Sequence, residues 1–578
     1  MAMNDDHQIS SHRPMHIFDF PNEVLLAILD AMDKNPLRYY HVRSDMSSNP
    51  IINFRMTCRR FCEVSSHLLV RSVKVHFTQS SLSLLEEISQ HPTISKGVRD
   101  VEIYLTFYSR ELSQNFKKFV KYYAKELLDH LDAEYGTQNN FGGRRAWLEG
   151  VWQAKNVHKS WNRIIDPKSA RIPDPWELIR GDGEDEDTLW AKEEDAAHKA
   201  LLVEAHRDYQ RLYAEQEAIR QSGALAQAVA AAMARMPLAR TLDISDMPNH
   251  FPGQTLWEIP ARRGVGIDEA YYKVMRMPIS GHQAKRRGLQ PTNLYPALVE
   301  IPLAIHRAGV CIEGFKIVVA GMRNTDVLRL DAAAREELTS AMQRLGVFQF
   351  RGSPSIGHGR GVPEKAADLD NFLKSCLSTP SLKDLDLDPC GRDGPLVLGN
   401  EEDMYELPSS CLAVTPAIPR KKLQTVSLWG AKFRLNELMS VLSSLPSKME
   451  SLVFSDIRLT DGTWEEVLDA LRKKTYEAED GGDGVFLVDL KGGEITDMTD
   501  YYKEIIFGKG EFEENNLVED YVLRHTRRNP LREFRLGNID PDGSDDSDEF
   551  DDSDELVGSA GSDSDSLPDL IEVNDSEV

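Results

Sequence analysis

Leu423-Gln424-Thr425-Val426-Ser427-Leu428-Trp429-Gly430-Ala431-Lys432-Phe433 and, shortly after it, Met449-Glu450-Ser451-Leu452-Val453-Phe454 share one pattern, in which an apolar residue recurs at the first, fourth and sixth places of an extended segment. Between them Asn436 to Leu445 carries Leu438, Met439, Val441, Leu442 and Leu445 at helical spacing. The second hexamer leads through Ile457 and Leu459 to Thr463, a helix-starting residue, and then to a predicted helix Trp464–Leu471 with Glu465 and Glu466 in its first turn. Strand, turn, helix, strand is a unit that buries its apolar face only by stacking on neighbours of the same kind.

The hexamer recurs at Val70–Val75, Val98–Ile103, Ala239–Ile244, Ile312–Ile317, Leu382–Leu387, Val485–Leu490 and Leu531–Leu536. With 41% hydrophobic residues, chance alone yields about forty such hexamers, so the pattern needs the company of turns and helices to carry weight. In the C-terminal half it has that company, at irregular spacings of about 26 to 46 residues. There the chain resembles degenerate leucine-rich repeats, with Cys390 standing where such repeats place Asn or Cys. Some other layered α/β arrangement is the alternative.

Upstream, Phe20-Pro21-Asn22-Glu23-Val24-Leu25-Leu26-Ala27-Ile28-Leu29 opens an amphipathic helix. Pro21 fits a first turn, and Asn22 and Glu23 face the positive end of the helix dipole. Cys58, Phe61 and Val64 form a second helical stripe bordered by Arg55, Arg59 and Arg60. Together, Phe20-Pro21-Asn22-Glu23-Val24, Ile28-Leu29 and Met56-Thr57-Cys58-Arg59-Arg60-Phe61 resemble an F-box of the fungal type, with Phe20 at the usual opening Leu and a polar insertion, Lys34 to Ile52, between the halves. Lengthening a surface loop in this way costs little. The resemblance implies a non-catalytic substrate-receptor subunit that binds the Skp adaptor of a Skp–cullin–F-box ubiquitin ligase and holds a protein substrate on its repeats. Pro21, Val24, Leu25, Ile28, Leu29, Cys58 and Phe61 are the expected adaptor face. The alternative is a repeat scaffold or adaptor-binding protein acting outside ubiquitination.

A chain of 578 residues is long for one ordinary core. It has no apolar run of membrane-spanning length, and the polar start Met1 to Pro14 lacks the form of a secretory signal, so an intracellular protein of the cytoplasm or nucleus, with no membrane partner, is expected. Six Cys without C-x-x-C pairs or His partners read as reduced thiols, and neither a metal nor a cofactor site is expected. Of the net charge of −25, sixteen acidic residues lie in Ile539–Val578, which has no Lys or Arg. A globally acidic chain is a poor nucleic-acid binder.

That acidic tail is too poor in apolar residues to offset its ordering entropy and is expected to be disordered. Ser547 and Ser553, each followed by Asp-Glu, suit acid-directed kinases. Leu570, Ile571 and Val573, an apolar island among acids, resemble a SUMO-interacting motif, which makes SUMO a candidate partner. Between the first hexamers and the repeats, Asn115–Asp132 and Lys192–Met236 read as helices, the latter as one or two, and five of the eight Trp fall from Trp147 to Trp190. Met247–Pro296 is Pro-rich and holds a basic concentration ending in Lys285, Arg286 and Arg287, expected to be a solvated loop. The glycine-rich Gly352–Gly361 lacks the Gly-Lys-Ser/Thr end of a phosphate loop, and no catalytic constellation is legible.

The expected architecture is therefore α/β: a disordered N-terminus (1–16), a helical F-box (17–67), first repeat-like strands with a helical insertion (68–246), a Pro-rich basic loop region (247–296), an irregular leucine-rich-repeat-like solenoid (297–538) and a disordered acidic tail (539–578).

Overall fold

The computed structural model describes residues 17, 20–33, 50–136, 144–165, 187–247, 267–290, 292–319, 322, 325–352, 362–388, 405–406, 422–476, 484–507 and 516–537. Expectations for residues 1–16, for most of the insertion after Asp33, for Gly-rich 353–361, for Cys390 and for the tail with Ser547, Ser553, Leu570, Ile571 and Val573 lie outside these. The chain is mixed α/β. Nine strands form one parallel sheet whose spatial order is their chain order: β1 Ser72–Val75, β2 Asp100–Tyr104, β3 Thr241–Ser245, β4 Gly314–Val319, β5 Val347–Gly352, β6 Asp384–Asp388, β7 Thr425–Trp429, β8 Ser451–Ser455 and β9 Val485–Val488.

Seven of the hexamers explain this order, whereas at β9 the buried pair is Val485 and Leu487, so the expected hexamer Val485–Leu490 stands out of register and its Val488 is half-buried on the other face. Val73, Val101, Leu242, Phe315, Phe348, Leu385, Val426, Leu452 and Val485 stand in one register row, and Val75, Ile103, Ile244, Ile317, Phe350, Leu387, Leu428, Phe454 and Leu487 in the next. All are buried, so each strand closes its neighbour's apolar face. The third apolar place, three residues earlier, is equally buried at Val98, Ala239, Ile312, Leu345, Leu382, Leu423 and Met449. Between these places the backbone repeats one device: the carbonyls of Arg71, Arg99, Arg240, Glu313, Gly346, Lys383 and Gln424 each accept from two successive N–H groups of the next strand. Parallel sheets usually bury both faces. Here the intervening side chains are polar and only half-buried, leaving a wetter second face.

Helices between strands complete the core from the apolar side. Thr78, Asp331 and Thr463 cap Gln79–Gln90, Ala332–Ala341 and Trp464–Leu471, each side chain accepting a backbone N–H of the first turn. Leu82, Leu85, Leu338, Leu438, Val441, Leu442, Trp464 and Leu468 join the same core as the strand rows. Between β2 and β3 lie Phe116–Gly136, Arg144–Ile165, Asp187–Ser222 and Ala224–Arg235, which pack around Phe119, Tyr123, Tyr209 and Trp161. Trp161 is thus part of an interior, not of a surface.

Three readings change. Leu531–Leu536 is not extended but lies in the helix Pro530–Arg535, because Asn529 caps it and Pro530 occupies its first turn. Met247–Pro296 contains the helices Ile267–Met275 and Gly281–Arg287, the latter opened by a Ser280–Gln283 capping box. Its basic end is not wholly solvated: the Arg287 side chain is only 6% exposed and donates to Glu126 (2.5 Å) and Asp129 (2.6 Å). Strand β5, which no hexamer had marked, sits in the middle of the sheet, and the sheet runs unbroken from residue 72 to residue 488, across the Pro-rich region.

Both ends of the sheet are finished differently. At β9 the backbone N–H of Leu487 donates to the Glu519 carboxylate (3.0 Å), so a helix carboxylate occupies a group that an open edge would offer to another chain. After β7, β8 and β9, Gly430 (φ 59°), Asp456 (φ 54°) and Asp489 (φ 53°) take the left-handed turn that leads into a small parallel sheet of Tyr405–Glu406, Ala431–Phe433, Arg458–Leu459 and Lys491–Gly492.

Before β1 stand three helices, α1 Asn22–Asp33, α2 Pro50–Thr57 and α3 Arg59–Ser65, whose buried Leu25, Leu29, Ile51 and Phe61 lie outside the main core cluster. This small unit meets the sheet where Gly97 touches the backbone of His67: a Cβ at Gly97 would stand 1.4 Å from the His67 carbonyl oxygen. Gly97→Ala is therefore expected to lower stability by about 1–3 kcal/mol and to raise hydrogen exchange over 66–69, whereas Gly346→Ala, whose Cβ would meet its nearest neighbour at 3.6 Å, is expected to stay within about 0.5 kcal/mol. Denaturation and amide exchange of the two variants measure the difference.

Candidate functional site

Two surfaces stand out. The first is built on α1. Pro21 is the residue before the helix, and its carbonyl accepts from Val24 and Leu25 N–H. Arg60 ties α3 back to the start of α1, donating to the Phe20 carbonyl (2.7 Å) and to Asn22 Oδ1 (3.0 Å). Phe54 and Phe61 stack at 4.0 Å, and the Cys58 sulfur accepts from Phe61 N–H as the cap of α3. The seven residues of the expected adaptor face therefore divide. Leu25 (1% exposed), Leu29 (0%) and Phe61 (4%) hold the three helices together. Pro21, Val24 (38%) and Ile28 (41%) face outward, and Cys58 is half-buried. Met56, at 82% exposed, adds a further outward apolar side chain, and Ile17 is also exposed. Val24 and Ile28 are one helical turn apart and lie on one side of α1. Apolar side chains left in water in this way are available to a partner.

The second surface is the polar face of the sheet. Its central row reads Lys74, Glu102, Asp243, Lys316, Gln349, Asp386, Ser427 and Val453 in register. Asp100 and Asp384 flank it on one side, and Tyr104, Arg351, Asp388 and Trp429 on the other. Over β1 to β6 carboxylates outnumber cations, while over β7 and β8 the row is uncharged. Glu102 accepts from Ser72 and from the Tyr104 hydroxyl (2.8 Å), and Asp386 accepts from Arg351 (2.8 Å) and Gln349 (2.8 Å). Burial first, then the Glu102 carboxylate, holds the Tyr104 hydroxyl well above its ordinary range.

Asp243 is the outlier of this row. Burial pushes its carboxyl up from 3.8 to about 6, Glu102 and Asp100 add to the rise, and Lys316 opposes it. A carboxyl whose folded pKa is raised binds its proton more tightly in the folded than in the unfolded chain, so this contribution to stability is present below about pH 4 and is lost as pH climbs to about 6. Asp243→Asn is expected to be neutral at pH 4 and to stabilise the chain by roughly 1–3 kcal/mol at pH 8. Urea midpoints of both forms across this pH range give the test.

Sequence reasoning missed this row, although its signal is present in Asp384-Leu385-Asp386-Leu387-Asp388, where acids alternate with the buried leucines. Among the described residues no group of His, Cys, Asp and Glu is placed to hold a metal ion, and no helix is long and apolar enough to cross a membrane. Burial raises the Cys376 thiol far above its ordinary range, which leaves it a poor nucleophile. Compared with known protein families, characterised proteins and solved structures, the chain matches none.

Proposed function

We propose that this chain is a non-catalytic substrate receptor of a Skp–cullin–F-box ubiquitin ligase, in which α1 to α3 form an F-box and the large sheet belongs to a degenerate leucine-rich-repeat solenoid. The observation that carries the proposal is the exposed apolar set Pro21, Val24, Ile28 and Met56 on a helical unit that keeps its own small core beside a long sheet. In this reading Val24, Ile28 and Met56 touch the Skp adaptor, and Leu25, Leu29 and Phe61 act behind them by fixing the angle between α1 and α3. Strand rows that stack in chain order, with a half-buried polar face, suit a receptor that holds another protein along its length. Transfer of ubiquitin then needs no catalytic group on this chain, only a substrate held near the cullin-bound enzyme.

The test is assembly. Full-length chain, Skp adaptor and cullin are mixed and separated by size exclusion. Co-elution of all three is the expected result. Adaptor binding without cullin would move the chain to a role outside ubiquitination, and absence of adaptor from the peak would remove the F-box reading.

A further inference from the structure

The last described helices meet in a corner of cations. Helix Trp464–Leu471 runs into Arg472, Lys473 and Lys474, and helix Leu517–Val522 into Arg524, Arg527 and Arg528, ahead of helix Pro530–Arg535. Arg524, in the left-handed region (φ 71°), joins the two segments by donating Nε and Nη2 to the Arg472 carbonyl, both at 3.1 Å. Arg472 lies over the Tyr521 ring at 4.3 Å and donates to the Tyr521 carbonyl. The neighbouring carboxylates are engaged elsewhere. Asp469 accepts from the Tyr521 hydroxyl (2.7 Å), Asn529 (2.9 Å) and Arg532 (3.1 Å), Glu465 pairs with Arg532 (2.6 Å) and Arg535 (3.1 Å), and Asp520 faces His525 (3.1 Å). Lys473, Arg524 and Arg527 are exposed and pair with no carboxylate among the described residues, and Arg528, its side chain 81% exposed, has Glu533 only at 3.8 Å. Four exposed cations gathered in this way repel one another and set up a positive potential.

The chain carries a matching anion. Residues 540–555, which begin three residues past Gly537, hold ten Asp and Glu and no Lys or Arg. Helix Pro530–Arg535 is about 9 Å long, and the eight residues from Gly537 to Asp545 span up to about 27 Å when extended, so this segment reaches back over the corner. A tether so short holds it there at an effective concentration on the order of millimolar. The other basic concentration has already given Arg286 and Arg287 to Glu126 and Asp129. We infer that residues 540–555 dock in cis on the corner formed by Lys473, Arg524, Arg527 and Arg528, covering it against acidic partners in trans. Ser547 and Ser553 lie within the docked segment, so their phosphorylation adds charge and tightens the cover. This contact needs neither the adaptor nor the cullin and stands apart from the receptor reading.

The probe is a fluorescein-labelled peptide of residues 539–556, titrated by anisotropy at about 50 mM salt onto three full-length chains. These are the wild type, a form in which every Asp of 540–555 is changed to Asn and every Glu to Gln, and that neutralised form carrying Arg527→Glu and Arg528→Glu as well. Neutralising the tail frees the corner, so peptide affinity is expected to rise at least about tenfold over wild type, and the two Glu substitutions are expected to remove that gain. The peptide phosphorylated at Ser547 and Ser553 is expected to bind at least about threefold tighter. Both arginines are exposed, so an unchanged melting temperature shows that each form is folded, and the milder Arg527→Gln/Arg528→Gln pair gives the same readout with a smaller loss. Equal affinity of the wild-type and neutralised chains overturns the cis contact. Absence of binding to the neutralised chain, binding that survives the Glu substitutions, or no gain from phosphorylation overturns the inference too. An oligo-dT strand that binds the wild-type chain more tightly than the peptide does would assign the corner to nucleic acid instead.

Discussion

Phe350→Ala is expected to lower the stability of the folded chain by about 3–5 kcal/mol, the usual range for emptying a buried aromatic site. Phe350 is 0% exposed and pairs in register with Ile317 and Leu387 in the middle of the nine-stranded sheet. Its ring also touches the space beside Gly352, whose Cβ would lie 3.1 Å from it, so the cavity left by alanine has rigid backbone on one side and cannot readily collapse. Ser427→Ala, on the polar face of β7, is the control and is expected to stay within about 0.5 kcal/mol. Guanidinium denaturation of both variants, with equal losses from the two, would show that β5 does not lie at the centre of the core.

The same residue shows how far the fold is legible. Leu345, Phe348 and Phe350 repeat the hexamer form with aromatics in two places, but the glycine-rich Gly352–Gly361 that follows carries no helix signal to single this hexamer out from the roughly forty expected by chance. Leu531, Phe534 and Leu536 make the opposite error. An i, i+3 pair suits a helix as well as the hexamer, and Asn529-Pro530 ahead of it decides for the helix. Long helices at Asp187–Ser222 and Ala224–Arg235 are plain from composition. That β2 and β3 pair across this whole insertion is not, because a parallel crossover leaves no local mark on the residues between its strands.

The second large effect concerns α1. Val24→Asp together with Ile28→Asp is expected to weaken capture of the Skp adaptor by at least about a hundredfold while leaving the melting temperature of the chain nearly unchanged. Both side chains are exposed in the free chain, so the charges stay hydrated there, and the cost falls on the complex, where two carboxylates would be buried against an apolar partner. Leu25→Asp acts differently. Leu25 is sealed between the helices, so that variant is expected to unfold the N-terminal unit, and its loss of binding says nothing about contact. Surface plasmon resonance with immobilised adaptor, paired with circular dichroism melts, distinguishes the two kinds of loss. Unfolding of the double Asp variant would place Val24 and Ile28 inside the unit and remove them from the contact.

Why the candidate sites were only partly legible follows from geometry. Val24 and Leu25, like Ile28 and Leu29, are neighbours about 100° apart around a helix, and the sequence marks all four as apolar without saying which pair faces α3. That choice is made by packing, through Phe61 and the bonds from Arg60 to Phe20 and Asn22. The charged row on the sheet is harder still. Asp243 and Asp386 are far apart in the chain, and only the register of four strands aligns them. A strand read alone shows an acid between two apolar residues, which is the pattern of any half-wet strand.

Isothermal titration of the purified Skp adaptor into the intact chain tests the central claim most directly. The receptor account predicts one-to-one binding at a Kd of about a micromolar or tighter, abolished by Val24→Asp/Ile28→Asp and unaffected by Asp243→Asn/Asp386→Asn. No heat of binding to the wild-type chain, or equal binding by the Val24→Asp/Ile28→Asp form, would contradict it.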